Sequence, residues 1–160
     1  MVNEICISSA LLDGAKEVFE TMIFMDLEEN PDQESFVKGD IVMGSITFKG
    51  EAIEGCLTIC CSVDCAKAVG VNMLGLDPEA EISDGEINDA IGEVTNMVMG
   101  SVKSRLMECV GDMHVSIPMV VIGREMETRL GEGTTGRTNV KVSIDGEYPA
   151  EFAFLYKAGQ

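Results

Sequence analysis

The chain has 160 residues, of which 46% are hydrophobic and 24% charged, which predicts one folded domain over residues 1–160 and excludes disordered and collagen-like classes. Its formal net charge of −17 repels phosphate backbones and anionic headgroups, so nucleic acid and membrane surfaces are excluded as expected partners. The apolar run Ile5–Leu12 ends at Asp13, and we interpret it as neither a signal peptide nor a membrane span. We therefore expect a cytoplasmic protein.

The first half of the chain alternates between helical and strand-like periodicity. Ser8 and Ser9 precede a long stretch in which apolar residues recur at helical spacing, and Gly50 lies between two alternating segments, as in an antiparallel hairpin. The predicted elements are a helix over Ala10–Leu27, a loop over Glu28–Gly39, strands Ile41–Phe48 and Ile53–Ser62, and a short helix from Val63 to about Gly75.

The second half contains the strongest predicted helix. Ser83 and Glu86 have the spacing of a capping box, and the helical pattern continues to about Cys109. Three strands are predicted after it, with a hairpin turn over Asp145-Gly146-Glu147 between the last two: Val115–Ile122, Thr138–Ile144 and Ala150–Tyr156. The pattern predicts an α+β fold, with long helices on a largely antiparallel sheet. Thr21–Phe24 is similar to Asn96–Met99, and two explanations remain open: the fold has pseudo-duplicated halves, or the similarity arose by chance.

Six cysteines are present, four of them in the cluster Cys56, Cys60, Cys61 and Cys65. A chain of this length and core content is unlike a disulfide scaffold, so reduced thiols are predicted. Four thiolates close together could bind zinc or an iron–sulfur centre. Their spacing argues against this, because the cluster spans a predicted strand whose side chains alternate between opposite faces of the sheet. The pattern favours small buried core residues, with the metal site as the alternative.

Two further motifs are weak signals of chemistry. The single histidine, His114, precedes a strand-like segment without a nucleophile elbow, which favours a structural or surface role over catalysis. The stretch 131–136 matches the glycine spacing of a dinucleotide loop. A strand follows it where that loop requires a helix, so a surface loop is predicted instead.

The long helix carries the sharpest functional signal. Asp89, Glu93 and Asn96 are spaced four and three residues apart, which places them on one line of the helix surface. Gly92 and Gly100 stand beside this line, and each costs the helix up to about 1 kcal/mol relative to alanine. Close approach of another surface would explain that cost. The alternative is the solvated face of an ordinary amphipathic helix. The apolar residues Ile87, Ala90, Ile91, Val94, Met97, Val98 and Leu106 predict the buried face.

The segment Asp89–Met97 resembles the signature D/S-x-x-x-E-x-x-N of the CheC/CheX/FliY family of chemotaxis phosphatases, and its setting AIGEVTNMVMG is typical of the CheX branch. The first helix has Val18 and Thr21 where a second Glu and Asn would lie, as in CheX and unlike CheC, which carries two active helices. Further segments resemble the same branch: Phe19–Met22, Ile53–Leu57 and Pro118–Arg124.

The resemblance implies dephosphorylation of the phospho-aspartate of a CheY-like response regulator. Asn96 would orient the attacking water, and Glu93 would pair with the regulator's active-site lysine. Asp89 would add a rim contact, and Gly92 and Gly100 would admit the partner. No metal ligand or cofactor is expected in this chain, because Mg2+ would be bound by the regulator.

A homodimer is expected by the same resemblance. An edge strand such as Thr138–Ile144 would offer unpaired backbone groups across a twofold axis. A noncatalytic module that binds a response regulator, or one like a flagellar switch protein, is the alternative function.

Overall fold

The computed structural model describes residues 3–32, 39–124, 133 and 136–159. Within these residues, three α-helices accompany a seven-stranded sheet in which all pairings are antiparallel, so the predicted α+β class is confirmed. The helices are α1 (Glu4–Val18), α2 (Val63–Met73) and α3 (Asp84–Val110). The strands are β1 (Leu27–Glu29), β2 (Ile41–Gly50), β3 (Ile53–Ser62), β4 (Met113–Val115), β5 (Met119–Gly123), β6 (Gly136–Ile144) and β7 (Tyr148–Ala158).

The sheet order is β1-β6-β7-β3-β2-β4, and β5 also pairs with β2. Helices α1 and α3 pack over the sheet, and the main core joins their apolar faces to alternate strand residues such as Leu57 and Phe152. Phe48 stacks on Phe154 with ring centroids 4.6 Å apart. A smaller apolar cluster, Cys56, Ala153 and Leu155, belongs to the opposite alternation of the strands.

The first helix differs from its predicted bounds at both ends. It begins at Glu4 because Asn3 is the N-cap and accepts a hydrogen bond from the Ile5 amide. The α-helix continues into a π-helical turn, Phe19–Ile23, and Phe24 then ends the helix in the left-handed region with φ 63°. Leu27, predicted as the last helical residue, instead begins β1 with a fully buried side chain.

The predicted strand over residues 115–122 is divided in two. Strand β4 pairs with the last residues of β2, and β5 pairs with its first residues. Ser116, Ile117 and Pro118 separate them, since proline has no amide to donate to a ladder. The Ser116 hydroxyl accepts a hydrogen bond from the Thr47 amide at 3.0 Å. The break therefore leaves both short strands on one edge of the sheet.

One edge of the sheet differs from the prediction. Strand β1 covers residues 142–144 of β6, so the predicted edge strand Thr138–Ile144 is paired at that end. At the other edge, β4 and β5 expose apolar side chains, with Ile117 88% and Met119 64% exposed. The predicted hairpin turn is confirmed: Asp145 and Gly146 have φ values of 54° and 64°, as a two-residue turn of type I′ requires.

No helix in the described part of the chain is both long enough and apolar enough to cross a bilayer. The predicted loop over Glu28–Gly39 begins with the last residues of β1, and positions 33–38 lie outside the described residues. The predicted loop over 131–136 also lies largely outside them, with Gly133 described and Gly136 beginning β6.

Candidate functional site

Helix α3 begins and ends at well-defined caps. The Ser83 hydroxyl accepts a hydrogen bond from the Glu86 amide at 3.2 Å, and the Glu86 carboxylate accepts one from the Ser83 amide at 3.1 Å. This capping box confirms the predicted start of the helix. At the other end Gly111, with φ 75°, follows the last helical residue. Glu93 and Asn96 therefore lie on a rigid helix, more than two turns from its start.

The centre of α3 is pressed onto β2 beneath the predicted motif. Thr95 is fully buried, and its hydroxyl donates to the Ile91 carbonyl at 2.7 Å. Gly44 of β2 faces it so closely that a Cβ there would overlap the Thr95 hydroxyl. Val94 and Val98 are also fully buried. Because these residues hold one face of the helix on the sheet, Glu93 and Asn96 point away from it.

Asp89, Glu93 and Asn96 are all exposed on α3. Among the described residues, none of the three side chains has a hydrogen bond or ion pair. Glu93 therefore presents a carboxylate that accepts hydrogen bonds, and Asn96, one turn away, presents a carboxamide that both donates and accepts them. Within the described residues, neither group has a partner.

The two glycines of the predicted site have different surroundings. Gly92 is buried, and a Cβ at this position would lie 3.6 Å from the Val120 side chain and 3.9 Å from Pro118. Its close neighbour is thus the β5 segment of the same chain. Gly100 is exposed, and a Cβ there would meet nothing within 4 Å. The open side of the helix near Asn96 is therefore at Gly100.

A pocket of about 200 Å³ adjoins Glu93. One wall is formed by the end of α2, where Leu74 is 50% exposed, and the other by α3. An apolar wall beside carboxylates suits a side chain with an alkyl stem and a cationic head. No motif or spacing in the sequence marks the α2 residues as part of the site. The lining residues are Met73, Leu74, Glu86, Asp89, Ala90 and Glu93.

The single histidine lies elsewhere. His114 is exposed on β4 and lines a larger cleft of about 590 Å³ with Lys49 and Asp112. Lys103 contacts Asp112 at 3.1 Å, and this hydrogen-bonded ion pair lowers the pKa of the Asp112 carboxyl. The cleft includes Val110, which is about 21 Å along α3 from Asn96. It is therefore separate from the line of exposed polar residues.

The cysteine cluster is built into the core. Cys56, Cys61 and Cys65 are buried, and all six cysteines are free thiols. Burial raises the pKa of Cys60 to about 11, with a smaller contribution from Glu151. A hydrogen bond with Cys65 and then burial raise the pKa of Cys61. No group of potential metal ligands occurs among the described residues. Protonated, buried thiols fit the interpretation as core residues.

Comparison with known proteins assigns the chain to a family. The profile of the family described as "Chemotaxis phosphatase CheX" matches residues 42–142, more than half of the chain. The chain therefore belongs to the CheX family, as the resemblance of its motif indicated. No curated protein sequence matches it.

Solved structures have the same fold. The chemotaxis protein CheX from Vibrio vulnificus is 25% identical, with a TM-score of 0.74 over 93% of this chain and 98% of that one. A CheC-like superfamily protein from Shewanella sp. PV-4 is 26% identical, with a TM-score of 0.73 over 96% and 98%. CheX from Borrelia burgdorferi, solved in a complex with CheY, BeF3 and Mg2+, is 17% identical, with a TM-score of 0.65 over the full length of both chains.

Proposed function

We propose that this protein hydrolyses the phospho-aspartate of a CheY-like response regulator, with Glu93 and Asn96 as its active residues. The observation that carries the proposal is the exposure of both side chains on a firmly seated helix, without a partner among the described residues. Membership of the CheX family supports it. The Borrelia burgdorferi relative in complex with CheY supports a regulator of the same kind as the partner.

Glu93 is proposed to bind a lysine in the active site of the regulator. An ionised carboxylate only accepts hydrogen bonds, and an ammonium group is a matching donor. The adjoining pocket, with Leu74 on its apolar wall and Asp89 at its rim, has room for an alkyl stem. Asp89 contributes a weaker contact, because an exposed rim charge is screened by solvent.

Asn96 is proposed to orient the water that attacks the phosphoryl group. Phosphoryl transfer requires little covalent assistance from the protein beyond placing the nucleophile in line and balancing charge. A carboxamide one turn from Glu93 can accept a hydrogen bond from that water while Glu93 holds the lysine. Mg2+ is proposed to belong to the regulator, where it balances the charge of the phosphoryl oxygens. Gly100, where a Cβ would meet nothing within 4 Å, leaves room for the regulator beside Asn96.

We also propose that the protein is cytoplasmic, where response regulators act, and that it forms a homodimer through the β4–β5 edge. Among the described residues, the outer edge of β4 and β5 pairs with no other strand, and it carries exposed apolar side chains, including Met119 and Val121. Covering such an edge against a second copy removes its backbone groups and these side chains from water.

The proposed function is tested by following the loss of phosphoryl label from a panel of Mg2+-bound phosphorylated regulators of the same cell. The protein is added far below stoichiometry. We expect one regulator to be dephosphorylated over many turnovers per molecule. Loss limited to one phosphoryl group per molecule, or protection of the label, would instead identify a noncatalytic binding module.

A further inference from the structure

Two cysteines that have no part in the proposed reaction lie together at one end of the helical layer. The Sγ atoms of Cys6, near the start of α1, and Cys109, in the last turn of α3, are 3.0 Å apart. Cys6 is half-buried and Cys109 exposed. The two residues are far apart in sequence, so their contact depends on how α1 and α3 pack.

The packing of α1 on α3 fixes this contact. Gly14 allows the helices to approach closely, since a Cβ there would lie 3.0 Å from Val102 Cγ2. The Glu17 carboxylate accepts hydrogen bonds from Arg105 at 2.8 Å and from Ser101 at 3.1 Å. These contacts hold the helices in an antiparallel register. From 3.0 Å, the sulfur atoms need to approach by about 1 Å to reach a disulfide bond length.

We propose that Cys6 and Cys109 form a reversible intramolecular disulfide by exchange with a low-molecular-weight disulfide. The Cys109 thiolate attacks one sulfur of the small disulfide, whose other half leaves as a thiolate. Cys6 then loses its proton and attacks the Cys109 sulfur of the mixed disulfide, which releases the second small thiol. The protein pair loses two electrons and two protons, and the small disulfide becomes two thiols.

The surroundings of the two thiols determine the order of attack. The hydrogen bond to Cys109, followed by burial, raises the pKa of Cys6, which disfavours Cys6 as the first thiolate to attack. Cys109 is reached from solvent. Cys61, in contrast, is fully buried, and its pKa is raised well above its ordinary value. Cys61 is therefore protected from the same reagent.

The disulfide would tie the two helices at the end remote from the proposed active residues. It would close a long loop from α1 to α3, which restricts the unfolded chain and raises the melting temperature. Asn96 is about 20 Å along α3 from Cys109, so oxidation is expected to leave dephosphorylation unchanged. The bond thus protects the fold under oxidising conditions rather than switching the reaction.

The test compares the folded protein after incubation with oxidised or reduced glutathione. We expect the oxidised form to lose two free thiols, and peptide mapping under nonreducing conditions to find Cys6 joined to Cys109. Its Tm should be about 5–15 °C above that of the reduced form. Dithiothreitol should reverse both changes.

Three variants separate this bond from other effects. Cys6→Ser and Cys109→Ser should each abolish the Tm difference between oxidised and reduced protein, whereas Cys60→Ser should retain it. A stable glutathione adduct on Cys109 of the otherwise wild-type chain would overturn the proposal. A Cys109–Cys109 bond between two molecules, or an oxidation-dependent rise in Tm that persists in Cys109→Ser, would also overturn it.

Discussion

At the scale of single side chains, the two exposed carboxylates near Asn96 are expected to contribute unequally to regulator binding. Glu93 lies one turn from Asn96, whereas Asp89 lies two turns away, at the rim of the pocket. Exposed rim charges contribute about 0.2–1 kcal/mol, so we expect Asp89→Ala to raise KM for the regulator about 1.5- to 5-fold with kcat unchanged. Initial rates over a range of regulator concentrations measure this. An effect as large as that of Glu93→Ala would contradict the assigned roles.

Phe24 is a strained residue on the surface. It has φ 63° and is 76% exposed, so its side chain gains little burial, while the left-handed conformation costs about 1–2 kcal/mol for a residue with a Cβ. We expect Phe24→Gly to raise the free energy of unfolding by about 1 kcal/mol in urea titrations. Phe24→Ala retains the Cβ and should show little of this gain. Destabilisation by the glycine would mean that the ring has packing that its exposure does not reveal.

The site residues illustrate what periodicity can predict. Spacing alone places Asp89, Glu93 and Asn96 on one helix surface, and the structure exposes all three. Residue spacing cannot place Leu74 in the same pocket, because that contact depends on where α2 packs against α3. The burial of Gly92 against Val120 also depends on distant pairing, since β5 must first join β2.

At the scale of elements, the seating of α3 on β2 depends on Gly44. An alanine Cβ there overlaps the Thr95 hydroxyl, and overpacking a core of this kind costs about 1–3 kcal/mol. We expect Gly44→Ala to lower the free energy of unfolding by that amount and to lower kcat, because α3 must move away from the sheet.

Gly100→Ala is the matched control on the same helix. A Cβ at this position meets open space, so alanine should stabilise α3 by about 0.5–1 kcal/mol. Because Gly100 is proposed to leave room for the regulator beside Asn96, we expect Gly100→Ala to raise KM for the regulator without loss of stability. Equal stability of wild type and Gly44→Ala would contradict the close packing of α3 on β2.

The end of α3 provides a pH-dependent contact. Lys103 lowers the pKa of Asp112 in the folded protein, so this pair stabilises the fold above the unfolded pKa of about 3.9, and its contribution is lost as the pH falls through the folded value. We expect Lys103→Ala to lower the urea midpoint relative to wild type at pH 6, with a smaller difference at pH 2.5. A difference that does not change with pH would contradict this coupling.

The bounds of the elements were predictable where the signal is local. The capping box at Ser83 marks the start of α3, and Asp145-Gly146 marks the last hairpin. Helix α1 begins at Glu4, before the predicted start at Ala10, because Asn3 provides its cap. The division between β4 and β5 had a local signal, Pro118, but the separate pairing of the two strands with β2 depends on the whole sheet.

At the scale of the whole molecule, the exposed edge of the sheet should determine the oligomeric state. Met119 and Val121 are 64% and 44% exposed on β5, and a charge on an edge strand opposes pairing with a second copy. We expect Val121→Lys to convert the proposed homodimer to a monomer in light scattering after gel filtration, while far-UV circular dichroism stays unchanged. Lys67→Ala, on α2, is the control. A wild-type monomer, or an undisturbed Val121→Lys dimer, would contradict the proposed edge.

The most direct test of the central claim separates regulator binding from hydrolysis at two positions one turn apart on α3. Dephosphorylation of a Mg2+-bound phosphorylated regulator is measured at saturating protein, together with binding to the beryllofluoride form. We expect Asn96→Ala to lower the hydrolysis rate at least about 100-fold while binding persists. Glu93→Ala should weaken binding about 10- to 100-fold, whereas Ser104→Ala and Glu108→Ala should change neither. Unchanged hydrolysis by Asn96→Ala would contradict the account.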